Sequence, residues 1–243
     1  SPHAGCYSTA RLACRDLFAP CIGAVSRITL LRHWSFAIAS IDTASMPLDD
    51  SHATSGGLRL RKALNLLAQA GWKRGQGWGY EVVLPTGFNY AEAEGPKHNW
   101  SYWAAKGVRL AQGGTPTGAE AVEDATILLP QGANGPAFLA LPNHYVIRRY
   151  NNSVSYALAI GLTADGAAGK PGLVAAWPND PPLSLAQRTA AQRGLTAAGY
   201  DTGGVDGVVG ANTRAALKRW QAANGRIPDG YLTVALADEL ARR

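Results

Sequence analysis

GYDTGGVDGVVGANTRAALKRWQAANGRIPDGYLT, residues Gly199 to Thr233, places one helical run between two Asp-Gly pairs. Asp206-Gly207 and Asp229-Gly230 read as tight turns, because Asp bonds its own nearby backbone and Gly accepts positive φ. Between them, Thr213 to Ala223 has the spacing of a helix that buries Ala216, Leu217 and Trp220. Upstream, Leu185 to Ala198 reads as a helix closed by Gly199-Tyr200. Downstream, Leu232, Leu236 and Leu240 recur every fourth residue and mark a third helix. Three short helices and two turns make a small domain over residues 183–243, marginal in size but able to fold alone.

Working outward, GAAGKPG (Gly166 to Gly172) and WPNDPP (Trp177 to Pro182) break both helix and strand, so residues 166–182 read as a linker. Residues 58–165 form a separate unit. In it Leu60, Ala63, Leu64, Leu67 and Ala68 share one helical face, with Gly71 as the stop. Tyr80 to Leu84 reads as a short strand ended by Pro85, followed by a loop-rich stretch holding Trp100 and Trp103. Pro136 to Ile147 holds a further short apolar run. Ser155 to Ala164 is apolar nearly all round, as in a buried helix. Residues 1–57 show no sustained period, contain no Glu, and receive no fold. The expected class is mainly α, an α+β arrangement with few short strands.

Composition narrows the partners. The chain of 243 residues is 47% apolar and only 16% charged, with 28 Gly and 14 Pro, which suits a loop-rich globular fold rather than a disordered one. Its net charge of +6 suits a polyanionic partner. No Lys/Arg-rich block with interleaved aromatics occurs, so nucleic acid is not expected. Cys6, Cys14 and Cys21 are an odd set that cannot close into bridges, and with His33 they match no zinc spacing, so no metal is expected. Ala19 to Ser40 is apolar but carries Arg27, Arg32 and His33, which makes it a poor membrane span and a poor signal peptide. No export signal or membrane anchor is visible, the N-terminus reads as processed or truncated, and a monomer is expected.

On Gly199, Tyr200, Asp206, Gly207, Gly210, Thr213, Trp220, Gln221, Asp229 and Gly230 the C-terminal unit resembles the type 1 peptidoglycan-binding domain. GWKRGQGWGYEVVLPTGF (Gly71 to Phe88) and ILLPQGANGPAFLALPNHYVIRRYNNSVSYALAIGLTADGAAG (Ile127 to Gly169) resemble the C-terminal half of the catalytic domain of lytic murein transglycosylases of the B type. The resemblance implies a partial lysozyme-like lobe followed by a wall-binding module, in the periplasm or cell envelope. Its partner would be peptidoglycan glycan strands, and no cofactor or metal is implied. It also implies that Tyr150, Asn151 and Tyr156 line the glycan cleft, with Asn151 bonding an N-acetyl group and the tyrosines offering flat faces. The competing reading is that Asn151, Asn152 and Ser153 simply start the following helix. Trp72, Trp78 and Tyr80 divide the same way between core packing and sugar stacking.

Members of that family cleave the bond between N-acetylmuramic acid and N-acetylglucosamine without water. One Glu protonates the leaving oxygen and then serves as base while the C6 hydroxyl closes a 1,6-anhydro ring. By the resemblance this Glu should precede Ala70-Gly71-Trp72, yet the first glutamate is Glu81. Asp16, Asp42, Asp49 and Asp50 are the upstream acids, so no catalytic residue is assigned. Two readings remain: residues 1–57 replace the catalytic half, as an upstream frame error would produce, or the chain is a non-catalytic wall binder with a remnant lobe.

Overall fold

The computed structural model describes residues 65–242. The sequence readings on Cys6, Cys14, Cys21, Asp16, Asp42, Asp49, Asp50, Leu60, Ala63, Leu64 and the segment Ala19 to Ser40 lie outside the described residues. Residues 65–69 are helical and bury Leu67. The chain then turns at Gly71, whose φ of 91° is the left-handed conformation that glycine adopts without steric cost.

Four short strands follow, β1 (Gly79–Val83), β2 (Arg109–Leu110), β3 (Thr126–Leu128) and β4 (Ala137–Ala140). They form one antiparallel sheet in the order β2-β1-β4-β3, with Tyr80 opposite Leu139 and Ile127 opposite the same residue from the other side. The two-residue period of a strand sorts the core into two layers. Phe138, Ala140 and Leu128 face one layer, while Ala137, Leu139 and Ile127 face the other. In the first layer α2 (Pro142–Arg148) and α3 (Val154–Ala167) supply Val146, Ile147, Leu158 and Ile160. In the second, α1 (Trp100–Ala105) supplies Trp103, whose indole N–H reaches the carbonyls of His98 and Ala125. Because both faces are covered, β4 is buried along its whole length and shows no polar alternation.

That double coverage explains where the sequence reading falls short. The apolar run Pro136 to Ile147 is a strand followed by a helix, with Pro142 at the start of α2. The stretch around Trp100 and Trp103, read as loop, contains α1, capped by Asn99, and β2. The buried helix α3 runs longer than Ser155 to Ala164. It takes in Gly166 and Ala167, which the reading gave to the linker.

In the C-terminal module, α4 (Leu185–Ala197), α5 (Ala211–Ala223) and α6 (Val234–Ala241) close around Leu195, Leu217, Trp220, Leu236 and Leu240. Ser184 and Gln187 form a reciprocal capping box at the start of α4. A Cβ on Gly194 would fall 2.1 Å from the Leu240 carbonyl oxygen, so glycine is what lets α4 and α6 meet. Two boundaries differ from the reading. Helix α5 starts at Ala211 with Gly210 as its cap, so Thr213 lies inside the helix rather than opening it. Leu232 is buried but precedes α6, which Thr233 caps.

Helix α5 also rests on the N-terminal lobe. The Arg214 guanidinium pairs with Glu94 at 2.5 Å and donates to the Leu129 carbonyl at 3.1 Å. The Lys218 ammonium donates to the Ala93 carbonyl, and burial pushes its pKa down. Between the two units, Glu81 accepts the backbone N–H groups of Val174 and Ala175, both at 2.7 Å, and so ties the connecting segment to β1.

Candidate functional site

The exposed face that gathers the sequence-predicted ligand residues is the turn between α2 and α3. Helix α2 ends at Arg148 with Arg149 as its C-cap, and α3 is capped by Ser153, whose hydroxyl accepts the N–H of Tyr156 at 3.3 Å. The Asn152 side chain is held, its Oδ1 accepting Arg148 Nε at 3.1 Å and Nη2 at 2.7 Å. Capping is therefore done by Ser153, and the Asn151 side chain is exposed with no hydrogen bond to any described residue. Tyr150 is 53% exposed. Its ring stacks on Tyr156 with centroids 6.1 Å apart and planes 26° from parallel. Tyr156 is half-buried, and burial, helped by the neighbouring Tyr150, pushes its phenol up to about 12, so it stays a neutral hydrogen-bonding group. An amide without a described partner thus neighbours an aromatic pair in the turn, groups of the kind that can stack on a sugar face and bond its substituents.

The other aromatic candidates are structural. Trp72 and Trp78 are buried in the first core layer, and Trp78 donates its indole N–H to Asp165 at 2.7 Å. Tyr80 donates its hydroxyl to Glu120, which also accepts the Gly77 N–H at 2.5 Å. Burial and this carboxylate push the Tyr80 pKa up. Asn143, fully buried at the start of α2, clips the loop before β1 by accepting the Lys73 N–H and donating to the carbonyls of Lys73 and Gln76. Next to it, burial holds the His144 imidazole down at about 3, so the ring is neutral.

Comparison with known families places these two units. A model of the transglycosylase SLT domain matches residues 61–165, and one of a peptidoglycan binding domain matches residues 184–240. Residues 61–165 are a transglycosylase SLT domain. Residues 184–240 are a peptidoglycan-binding domain. Among solved structures the chain is similar to SltB3 from Pseudomonas aeruginosa in complex with NAG-anhNAM-pentapeptide, at 43% identity and a TM-score of 0.73. That match covers 82% of this chain and 54% of SltB3. The same protein in complex with NAG-NAM-pentapeptide matches at 42% identity and a TM-score of 0.72, covering 82% and 55%. The chain thus spans just over half the length of this relative. No curated protein matches it.

In the peptidoglycan-binding module the motif residues build two equivalent clips. Gln192 donates to Asp206 at 3.0 Å and accepts the Gly207 N–H at 2.7 Å; Gln221 donates to Asp229 and accepts the Gly230 N–H, both at 2.8 Å. Thr213, buried inside α5, is bonded by Gln192, and Trp220 is buried in the module core. Gly199 and Tyr200 close α4 through the carbonyls of Thr196 and Leu195. The Asp206 carboxyl is held below the usual carboxylate range first by Gln192 and then by the Val208 N–H. Gln192 carries as much of this geometry as Gln221, yet it escaped the sequence reading because it lies mid-helix, 14 residues from its partner.

The transglycosylase lobe holds no free glutamate. All six in the chain are described, and each is engaged. Glu81 bonds the connecting segment, Glu92 Lys106, Glu94 Arg214, Glu120 Tyr80, Glu123 Lys73, and Glu239 Arg226. Among the described residues no group of three or more His, Cys, Asp or Glu could hold a metal, and no helix is long and apolar enough to cross a membrane.

Proposed function

We propose that this chain engages peptidoglycan in the periplasm or cell envelope as a protein of the lytic transglycosylase type. The lobe reads the glycan strand, and the C-terminal module holds the wall. The observation that carries this reading is the Tyr150–Asn151–Tyr156 face. It joins a stacked aromatic pair to an amide with no described partner, in a domain similar to that of SltB3, which was solved with peptidoglycan fragments. Stacking on an apolar sugar face while a hydroxyl or amide bonds the ring substituents is how such surfaces bind saccharide.

The family reaction is non-hydrolytic cleavage of the MurNAc–GlcNAc bond to 1,6-anhydro-muropeptides. It needs a general acid at the leaving oxygen, worth about a hundredfold to ten-thousandfold. A second reading, a non-catalytic wall binder, is favoured by one specific fact: each of the six glutamates is committed to an ion pair or a hydrogen bond within the fold. Incubation of the full chain with purified sacculi separates the two readings. Chromatography that finds 1,6-anhydro-muropeptides in the supernatant supports the transglycosylase, sedimentation of the chain without product supports the binder, and failure to sediment removes both.

A further inference from the structure

Beside the Tyr150–Asn151–Tyr156 face, two cations converge on one aromatic ring. The Lys97 ammonium stands 3.8 Å from the centre of the Tyr145 ring and the Arg148 guanidinium 5.7 Å from the same centre. Lys97 comes from the loop before α1 and Arg148 from the last turn of α2, so the tertiary fold brings them together. Neither is ion-paired with a carboxylate among the described residues. Glu94 also acts on Tyr145, but its carboxylate is held by Arg214.

We propose that Lys97 and Arg148 form an anion subsite that takes a carboxylate of the stem peptide attached to the glycan. The proposal rests on the peptidoglycan reading above and deepens it. Two cations that both reach the Tyr145 ring and have no carboxylate partner among the described residues can offer a bound carboxylate charge-assisted hydrogen bonds. Arg148 is pre-aimed, because its bonds to Asn152 fix the guanidinium plane next to the turn that carries Tyr150 and Asn151. From Pro142 to Ala164 the chain has Arg148 and Arg149 and no acidic residue. A cation at the end of α2 also favours the helix dipole. That effect does not account for Lys97, which arrives from a distant loop and is exposed.

The test is calorimetric titration of the full chain, wild type, Lys97→Met, Arg148→Met and the double variant, with three probes: neutral chitotetraose, NAG-NAM-pentapeptide, and the same muropeptide with its carboxylates amidated. Wild type is expected to prefer the acid muropeptide over the amidated one by about threefold to tenfold, and to lose that preference at high salt. The double variant binds both forms equally and chitotetraose as wild type does, and Lys97→Arg restores part of the preference. Lys97 is exposed, so its single variant reports even where Arg148→Met disturbs the fold. Equal wild-type affinity for the two muropeptides, or a preference that survives in Lys97→Met and the double variant, overturns the subsite while sparing the peptidoglycan reading. Absence of wild-type binding to all three probes overturns both.

Discussion

The two units satisfy their buried polar groups differently. In the peptidoglycan-binding module the buried Gln192, Thr213 and Gln221 are all bonded within the module, and the same Gln-to-Asp-Gly clip is used twice. In the transglycosylase lobe the Trp72 indole N–H, the Gln76 side-chain amide oxygen and both ring nitrogens of His144 are buried without a partner among the described residues, against the Arg214 Nε in the module. Burying an unmatched polar group costs about 1–3 kcal/mol, and a bonded one contributes about 1 kcal/mol. The module should therefore fail when a clip is cut, and the lobe when the solvent charges what it buries.

Cutting a clip gives the largest expected effect. Gln192→Ala and Gln221→Ala each remove a donor to a carboxylate and an acceptor for a glycine N–H, and should each cost the module about 2–4 kcal/mol in denaturant unfolding. A loss below about 1 kcal/mol in both variants would show that the helices alone set the turns.

Acid should single out the lobe. The folded-state pKa of His144, about 3, lies below its unfolded value near 6.5, so the unfolded chain takes up the proton first. Stability from this residue is complete above about pH 6.5 and falls by about 1.4 kcal/mol per pH unit on acidification towards 3. At pH 5 the loss is about 2 kcal/mol. In the module Asp206 is held low, so its contribution is complete above about pH 4 and lost only below that. Unfolding of the full chain between pH 7 and 4, with His144→Leu as control, checks the order. A slope that persists in the variant would assign the acid response elsewhere.

The two clips also differ from each other, because Asp229 bonds outside the module. Its second oxygen accepts the Ala133 N–H at 2.9 Å, and Gly132 beside it has φ 66° and no room for a side chain, since a Cβ would lie 2.5 Å from that oxygen. Asp229→Ala should therefore cost the full chain about 1–2 kcal/mol more than it costs residues 183–243 expressed alone. Asp206→Ala should cost both alike. The comparison requires the isolated module to be folded, helical and able to co-sediment with insoluble peptidoglycan; equal costs for Asp229→Ala in both contexts would show that the interface does not hold in solution.

The smallest effects separate contact from capping in the α2–α3 turn. Ser153→Ala should lower stability by about 0.5–2 kcal/mol and leave glycan affinity unchanged. Asn151→Ala should leave the melting temperature nearly unchanged and weaken chitotetraose binding. The reverse pattern would return Asn151 to a structural role.

How much was legible follows from these residues. The module could be read because its determinants are local: Asp-Gly pairs need a turn wherever they fall, and Leu217, Trp220, Leu236 and Leu240 keep helical spacing. The lobe could be read only in part. Strand β4 is covered on both faces and so lost its alternation, and α1 is a single short helix defined by Asn99 and the burial of Trp103 rather than by periodicity. At the candidate site the sequence pointed to Tyr150, Asn151 and Tyr156 but left Asn151 divided between cap and ligand; the Ser153 cap and the binding of Asn152 by Arg148 set Asn151 apart.

The sequence by itself determined the three helices of the module, its two turns, and the absence of any glutamate before Glu81, because each depends on residue type at short range. Only the tertiary structure decided that every glutamate is engaged, that Gln192 repeats the work of Gln221, and that Lys97 and Arg148 both reach the Tyr145 ring. Those glutamate and glutamine pairings join residues from 8 to 120 positions apart, most of them across a change of element, where spacing carries no periodic signal and only the packed chain fixes the distance.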